Sequence, residues 1–474
     1  MKPTYEPLYN ADRARDSPPP SILAELKKHM RLAGPLMFTH LMDYLPGATN
    51  VLLVSWMDTP DADIYVNAAT LSTMYLNFTS IALGMGLCTA LGTLCSQAHG
   101  AGKTKQFNSY VQSASLGLLL TLVPMCLLNW NADVVLVLMG HDRATVAKAA
   151  AFTRLSTVGL PCFFAFEIVR KLLQAHSLVD AVALFSLASN GIHLGLGYYL
   201  TQHTGWSFYG AALARSIANV TLVLFLVPYF CIFPHHKAWG LHWDWGLAKA
   251  HLVEFYTLGA PGVVMFWVEF GSFGAMTLLA KLLPHPTLQT HVNTILSHLL
   301  SSLYVVYFGI ASATMVRVGN ELGANRPAHA QFVMRTSFLL VIVCAVVVVV
   351  AVATTRHAIA ASFYHDPAVV HAATTALLYT LPILFLSAMN TNAQGVYRGL
   401  GLPAVGALVN VVAVYCVGLP MAAAIGLDWC PGLAGLWAGF TTGPTTSSVV
   451  FAVLLTRIDW RALADAAAAR SSAP

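Results

Sequence analysis

The sequence predicts an all-α polytopic membrane protein, with about twelve transmembrane helices in two pseudo-symmetric six-helix lobes. Three observations lead to this fold class. Of the 474 residues, 57% are hydrophobic and only 9% are charged, whereas soluble domains carry roughly 25% charged residues. Apolar runs of roughly 17–25 residues, long enough to cross a bilayer, recur along the chain. A similar motif also occurs once in each half.

The apolar runs define the predicted elements in chain order. A Pro-containing N-terminal tail (1–32) precedes the first lobe (33–233), an inter-lobe linker (234–252) follows, and the second lobe (253–456) leads into a short C-terminal tail (457–474). The predicted spans are 33–57, 66–94, 107–130, 151–174, 178–201 and 207–233 in the first lobe, and 253–281, 290–317, 331–354, 370–398, 403–425 and 431–456 in the second.

The distribution of Lys and Arg predicts the orientation. Most of the 25 Lys and Arg residues fall in connections on the same side as the N-terminus, which places both termini in the cytosol by the positive-inside rule. The membrane is either the plasma membrane or an endomembrane such as that of the vacuole. A net charge of +5 that is spread along the chain indicates no nucleic-acid partner, and we expect a functional monomer.

A weak internal repeat relates the two halves. Gly100-Ala101 within residues 86–113 matches Gly323-Ala324 within residues 309–337, and both pairs follow the second span of their half. Two six-span halves of equal topology are related by an axis along the membrane normal. Such an architecture favours a transporter in which two lobes expose a central site alternately.

Glu269 is the best candidate for chemistry within a span. Ionisable residues there cost at least about 2.5–3.5 kcal/mol on insertion scales and so call for a reason. Phe266 and Phe273 lie three residues before Glu269 and four after it, on the same predicted helix face. The carboxyl group can exchange a proton or pair with a cation, the rings can hold an organic cation by cation–π contact, and His298 in the eighth span can share the proton. The alternatives are a neutral structural acid and a packing histidine.

Further charged groups fall within the first lobe. Asp43 lies about ten residues into the first span and Arg215 about eight into the sixth. They either form an ion pair, or Asp43 is a second proton site. Glu167 precedes Arg170 and Lys171 by three and four residues, which favours an intrahelical pair at the membrane interface.

Other polar or aromatic residues within spans are candidates to line a cavity, although packing or hydrogen bonding between helices also explains each of them. They are Tyr75, Asn77, Asn190, Tyr304, Tyr307 and Asn410. The 18 His residues are dispersed and no phosphate-binding Gly loop occurs. We therefore expect no metal and no cofactor, apart from H⁺ or Na⁺ as a coupling ion.

Three stretches resemble a known family. Residues 90–101 read ALGTLCSQAHGA, residues 315–324 read MVRVGNELGA, and residues 394–401 read QGVYRGLG, followed by GALVN at 406–410. They resemble the signatures ALDTLCGQAYGA, S-x-RV-x-NELGA and G-V-x-RG-x-G…GA-x-x-N of the multidrug and toxic compound extrusion (MATE) family, eukaryotic type, and the resemblance covers roughly 30–456. The motif residues are Gln97, Gly100, Arg317, Asn320, Glu321, Gly323 and Arg398.

The resemblance implies twelve helices in two lobes and antiport of organic cations or secondary metabolites against protons or, less often in eukaryotes, sodium. It places the functional seventh-helix acid on Glu269. The family's second seventh-helix Glu falls on Gly274, and its tenth-helix acid falls on Ser387, which becomes a cavity candidate. Some animal members have an acid in the eighth helix at the position of His298. The Asp of the first signature is replaced by Gly92 in this sequence. A cavity with one carboxylate attracts a dication less than a cavity with three does.

The sequence therefore predicts a secondary active antiporter, not an enzyme, that exports small organic solutes, with the bilayer and a small-molecule substrate as its partners. One alternative is a flippase for lipids or lipid-linked sugars, which would favour a basic cavity for phosphate head groups. Another is a membrane-embedded enzyme, which needs at least two convergent acid–base or metal-ligating groups. Glu269 with His298 is the only such pair that the sequence offers.

Overall fold

The computed structural model describes residues 21–239, 242–364 and 366–472, and every regular element in these ranges is a helix. In chain order the helices are α1 (Ile22–Ser55), α2 (Ala62–Gly100), α3 (Thr104–Trp130), α4 (Ala132–Leu138), α5 (Arg143–Thr157), α6 (Leu160–Ala175), α7 (Asp180–His203), α8 (Phe208–Ile232), α9 (His235–Ala238), α10 (Trp245–Ala250), α11 (Leu252–Ala280), α12 (Pro286–Gly323), α13 (Pro327–Phe363), α14 (Pro367–Gly399), α15 (Pro403–Trp429), α16 (Leu433–Thr456) and α17 (Trp460–Ser472).

Most predicted spans coincide with helices that can cross a bilayer. Within the described residues, nine helices are long and apolar enough: α2, α3, α8 and α11–α16. The pair α5 and α6, bent by 47°, adds a tenth if it crosses as one span. The two remaining predicted spans, 33–57 and 178–201, coincide with α1 and α7, which are helical but fall short of the same apolarity criterion.

Hydrogen bonds between α1 and α7 explain how these two helices carry polar residues. The buried His193 ring lies 3.1 Å from Asn50 Oδ1, and Asn190 Nδ2 donates to the Met42 carbonyl at 3.0 Å. Polar side chains in spans are tolerated where a neighbouring helix supplies their partners. The lower apolarity of α1 and α7 is thus matched by pairing between them.

Sequence signals fix where many helices begin. Asp142, Asp244 and Asp366 each accept a hydrogen bond from a backbone N–H in the first turn of α5, α10 and α14, respectively. Proline occupies the first position of α12, α13, α14 and α15, where its missing N–H has no intrahelical partner to lose.

The chain divides into two compact units, which are described separately. Unit 1 comprises the residues up to Met37, the segment Ser96–Gly102 and the residues from Val264 onward. Unit 2 comprises Phe38–Cys95 and Lys103–Val263. The boundaries therefore fall inside α1, α2 and α11. The predicted lobes 33–233 and 253–456 assign these segments differently and stay a prediction.

Two apolar clusters form the core of unit 1. One joins α11–α16 around the fully buried Trp437. The other joins the ends of α12, α13, α14 and α16 to α17, with Leu322, Tyr397, Phe451 and Trp460 among its members. The second cluster fixes α17 against the spans.

Unit 2 has its own core, in which Leu53, Phe152 and Phe208 bring α1, α5 and α8 together with α2 and α4. The predicted linker 234–252 contains α9 and α10 and is docked on α3. Gln112 holds the chain just before α10, since its Nε2 donates to the His242 carbonyl at 2.5 Å and its Oε1 accepts from a backbone N–H at 2.7 Å.

Both predicted tails contain helix. α1 begins at Ile22, inside the predicted tail 1–32, whose residues 1–20 lie outside the described ranges. α17 occupies most of the predicted tail 457–474. Its buried residues Trp460, Ala464 and Ala467 are spaced by four and three positions, which is one face of a helix.

Candidate functional site

A cavity in unit 1 surrounds the side chain of Glu269. Its volume is about 50 Å³, which leaves room for a few water molecules. Glu269 is the single charged residue among the lining side chains that the structure describes. The other polar groups of the lining are neutral: Ser272, Tyr304, Ser387, Asn390, Thr391, Gln394, Asn410 and Ser447.

Helix periodicity explains which residues of α11 and α12 reach the cavity. Glu269, Ser272 and Phe273 follow one another at i, i+3 and i+4 on α11, and Leu300 and Tyr304 are spaced by four on α12. Ser272 Oγ donates to the backbone carbonyl of Glu269 at 2.8 Å. The hydroxyl of Ser272 is thereby satisfied by the helix and not by the carboxylate.

The opposite wall is built from amides and hydroxyls on α14, α15 and α16. Asn390 is fixed to α16, because its Nδ2 donates to the Pro444 carbonyl at 3.0 Å and its Oδ1 accepts from Ser448 Oγ at 2.8 Å. Gln394 lies one turn further along α14, and Asn410 enters from α15. Because rigid helices carry these groups, their positions are well defined.

Five of the residues nominated from the sequence come together here: Glu269, Phe273, Tyr304, Ser387 and Asn410. Sequence reasoning missed Asn390, Thr391, Gln394 and Ser447. Gln394 had a signal, since it opens the third signature stretch. The others are common residues in apolar helices, and a single sequence does not show which helix faces them.

The structure does not bring His298 to Glu269. His298 is exposed and its ring stacks against Phe363, with centroids 6.4 Å apart. The cavity-facing positions of α12 are Leu300 and Tyr304, and a residue two positions before Leu300 points to the opposite side of the helix. The expected proton sharing between His298 and Glu269 is therefore not supported by the geometry.

Phe266 also lies outside the lining, contrary to expectation. Its ring packs against Phe308 and Phe270 at centroid distances of 5.4 and 6.1 Å. Phe266 and Phe273 lie on opposite sides of Glu269 along the helix axis, and only the Phe273 side opens into the cavity.

Two candidates from the first lobe are accounted for by helix packing. The hydroxyl of Tyr75 donates to the Leu128 carbonyl at 2.8 Å within the core of unit 2. Asn190 Nδ2 donates to the Met42 carbonyl, as described above, and to the Ser186 carbonyl at 2.8 Å. Both side chains tie neighbouring helices together.

The last two cavity candidates have no place in the lining either. Tyr307 on α12 is 1% exposed and packs inside unit 1. Asn77 is half-buried and begins a π-helical turn, Asn77–Ile81, within α2. Neither residue contacts the space beside Glu269.

Asp43 forms an ion pair with a different partner from the one we expected. Its Oδ2 accepts from Arg170 Nη1 at 2.5 Å and lies 3.3 Å from His40 Nδ1, whereas Arg215 does not pair with it. Arg170 also pairs with Glu167, and both of these side chains are fully buried. The expected intrahelical pair of α6 is therefore present, but it lies inside unit 2 and extends to Asp43 on α1.

The signature glycines mark a close helix crossing within unit 1. Gly100 at the end of α2 packs on the backbone of Asn320, and Gly323 at the end of α12 packs on the backbone of Gln97. A Cβ on either glycine would lie 2.8 Å from the carbonyl carbon of the other helix and closer still to its oxygen. The two repeat motifs therefore meet each other reciprocally.

The remaining motif residues form polar contacts in unit 1. Arg317 holds both carboxylate oxygens of Glu25 on α1, at 2.6 and 2.7 Å, and Glu321 pairs with Arg326 at 3.1 Å. The guanidinium of the buried Arg398 lies 4.7 Å from the centroid of the Phe308 ring. These residues position helix ends and do not line the cavity of Glu269.

No group of three or more His, Cys, Asp or Glu side chains is placed to hold a metal ion in residues 21–239, 242–364 and 366–472.

Known proteins match almost the whole chain. The MatE family model matches residues 35–199 and 261–424, one segment in each half. Protein DETOXIFICATION 16 of Arabidopsis thaliana is 28% identical over 429 residues, which cover 88% of this chain and 85% of that protein. Protein DETOXIFICATION 14 of the same plant is 27% identical over 462 residues, covering 96% and 93%.

Solved structures share the fold. The crystal structure of the eukaryotic MATE transporter AtDTX14 superimposes with a TM-score of 0.88 at 25% identity, covering 95% of this chain and 99% of that one. The outward-facing conformation of a multidrug resistance MATE family transporter of the MOP superfamily gives a TM-score of 0.81 at 18% identity, covering 95% and 100%. The predicted all-α, polytopic membrane fold is thus confirmed.

Proposed function

Because this chain belongs to the MatE family of multidrug and toxic compound extrusion transporters, we propose that it is a secondary active antiporter that exports small organic cations in exchange for protons. As a family member it is an integral membrane transporter and not an enzyme. We further propose that the chain works as a monomer by alternating access. It lies in the plasma membrane or the vacuolar membrane, with both termini in the cytosol. Sodium is the less favoured coupling ion.

The observation that carries this proposal is the lone carboxylate of Glu269 among neutral hydrogen-bonding groups. A cation 4 Å from one negative charge gains up to about 4 kcal/mol at an effective dielectric constant of about 20, roughly a thousandfold in affinity. A proton on the carboxylate removes this attraction. Proton and organic cation therefore compete for Glu269, and this competition couples their exchange when only the loaded protein changes between its two states.

The small cavity volume fits the protonated half of this cycle. A space of about 50 Å³ admits water, which can carry a proton to Glu269, but not a drug-sized solute. We propose that the cation enters when Phe273 and Tyr304, two aromatic side chains of the lining, turn aside and then contact it through cation–π interactions.

The sequence analysis offered Asp43 as a second acid for proton coupling. Its charge is already matched by Arg170, so it offers little attraction to a substrate cation. We therefore assign Asp43 to the ion-pair cluster of unit 2 and propose one coupling acid, Glu269.

The alternatives find less support in the lining. A flippase for phosphate-bearing lipids needs basic groups, and the described lining of this cavity contains no Lys, Arg or His. An enzyme needs a second acid–base group beside Glu269, and His298, the partner that the sequence offered, lies elsewhere.

The experiment is efflux from proteoliposomes with an imposed pH gradient. A counterflow screen of labelled organic cations, anions and neutral metabolites first identifies a substrate of the wild-type protein. Glu269→Gln keeps the side-chain size and removes the charge, so we expect pH-driven efflux to fall at least about 100-fold. Glu269→Asp keeps the charge and retains part of the activity.

Glu254→Gln is the matched control. It makes the same chemical change in the first turn of the same helix, where Glu254 faces His251 and not the cavity. We expect its efflux to stay close to that of the wild type. If Glu269→Gln protein transports as fast as the wild type under the same gradient, the coupling role of Glu269 is refuted. Driving the same substrate with a Na⁺ gradient at equal pH distinguishes the coupling ions.

A further inference from the structure

The C-terminal helix α17 is built as a docked element. Asp459 caps its start, since Oδ1 accepts from the backbone N–H groups of Arg461 and Ala462 at 3.0 and 3.1 Å. Trp460 and Ala464 are buried in the cluster that includes the ends of α12 and α14. A helix fixed along one face in this way holds the side chains at its far end in defined positions.

Arg470, near the end of α17, contacts two of the three signature stretches. Its Nη2 donates to Gln97 Oε1 at 3.1 Å, and Gln97 Nε2 donates to the Gly399 carbonyl at 2.9 Å. Gln97 is 2% exposed, so both ends of its amide are satisfied in a buried place. Arg470 thereby selects the orientation of Gln97 that also binds α14.

Gly401 makes room for the guanidinium. It has a φ of +78°, a conformation that side chains disfavour. A Cβ there would lie 2.7 Å from Arg470 Nη2. The positive φ favours glycine at this position, which is the last residue of QGVYRGLG. The missing side chain leaves room for the guanidinium of Arg470 beside the backbone.

The partner of Arg470 comes from the first half of the sequence. Gln97 lies in Ser96–Gly102, which packs within unit 1 against α12 and α14 of the second half. Under the proposed alternating access, the two halves separate on one side of the membrane and then on the other. Residues 96–100 are the last part of the continuous helix α2 (Ala62–Gly100), so in the proposed cycle this segment moves with α2, and its contacts with α12 and α14 form and break. The distribution of Lys and Arg predicts that the C-terminal ends of α2, α12 and α14 lie on the cytosolic side.

We propose that Arg470 is a positioning residue for the transport cycle and that α17 is the strap by which it holds Ser96–Gly102 against α12 and α14. This inference rests on the proposed function. The hydrogen bond from Arg470 to Gln97 exists only in the state in which the cytosolic side is closed. Its loss shifts the population toward the state that binds substrate from the cytosol.

The sign of the kinetic effect follows from this shift. The apparent dissociation constant of a ligand equals its intrinsic value divided by the fraction of competent protein. A larger inward-facing fraction lowers KM for substrate on the cytosolic face. A residue that merely stabilised the fold would instead lower the amount of active protein and leave KM unchanged.

The test measures KM and kcat per folded protein with the cytosolic face outward, using the cation identified by counterflow and a fixed pH gradient. For Arg470→Ala we expect KM to fall about threefold or more while kcat stays equal or decreases. Arg470→Lys keeps a cationic donor and recovers KM in part. Arg461→Ala removes an exposed cation from the same helix and leaves both constants at the wild-type values.

Two results overturn the inference: equal KM in Arg470→Ala and Arg461→Ala, or a lower kcat at unchanged KM together with a lower melting temperature. Should Arg470→Ala not yield folded protein, Arg470→Gln retains an amide donor and the same KM comparison applies. If the wild-type protein moves no substrate, it is the proposed function that fails. If the wild type transports normally and the variants do not differ, this inference alone fails.

Discussion

Replacing the crossing glycines by alanine tests how tightly the two repeat motifs pack. In Gly100→Ala or Gly323→Ala the new methyl group would lie 2.8 Å from the carbonyl carbon of Asn320 or Gln97, respectively, whereas ordinary contact begins near 3.4 Å. The obstacle is backbone and not a movable side chain, and the carbonyl oxygen is closer still. The helices must therefore separate by more than about 1 Å, and overpacking of this kind costs about 1–3 kcal/mol. Because both methyls open the same crossing, we expect the double variant to cost less than the sum.

The assay is thermal unfolding of purified protein in one detergent at one scan rate, with retained substrate efflux as a second readout. Each kcal/mol lowers Tm by roughly 2–4 °C in a domain of 150–250 residues, so each single variant should lose several degrees. Gly34→Ala is the control, since nothing lies within 4 Å of a Cβ there and alanine favours a helix interior by about 0.5–1 kcal/mol. A Tm for Gly100→Ala at or above that of Gly34→Ala would refute the close crossing.

Two further predictions concern charge. Arg170→Gln removes the guanidinium that pairs with both Asp43 and Glu167 and should lower stability by about 3–5 kcal/mol. Asp43→Asn should cost less, because Arg170 still pairs with Glu167. Equal melting temperatures for the two variants would contradict this cluster. Ser387→Asp introduces the tenth-helix acid that the family resemblance implies, at a position that lines the cavity of Glu269. This variant should raise the rate of dication transport relative to monocation transport severalfold. If the ratio of the two rates in proteoliposomes does not change, the number of acidic side chains in the cavity does not determine selectivity.

The fold was predictable because each span carries its own signal. Long apolar runs, prolines at helix starts and the charge asymmetry are local or compositional features. α17 was missed because its stripe of Trp460, Ala464 and Ala467 is short and mostly alanine, so only the surface that receives it reveals its role. The partner of Asp43 was missed for a related reason, since Arg170 lies 127 positions away and one sequence contains no signal for that pairing.

Those residues of the candidate site whose position follows from helix periodicity alone could be predicted from the sequence. The spacing of Glu269 and Phe273 placed them together correctly, but the same argument failed for Phe266. Residues at i−3 and i+4 share a face yet differ by about 10 Å along the axis. Packing decides which end of the face stays open, and here Phe308 fills the space beside Phe266. Amides such as Asn390 were missed because their fixing contacts come from another helix.

The cavity and the crossing are linked because the same helices carry both. α12 presents Tyr304 to the cavity and Gly323 to the crossing, and α14 presents Gln394 to the cavity and the Gly399 carbonyl to Gln97. On α14 the two positions are five residues apart, about 7.5 Å along the axis. In the proposed cycle, a cation that shifts α14 at Gln394 also shifts the Gly399 carbonyl that Gln97 binds. Occupancy beside Glu269 and the proposed contacts of α17 are then coupled through one helix.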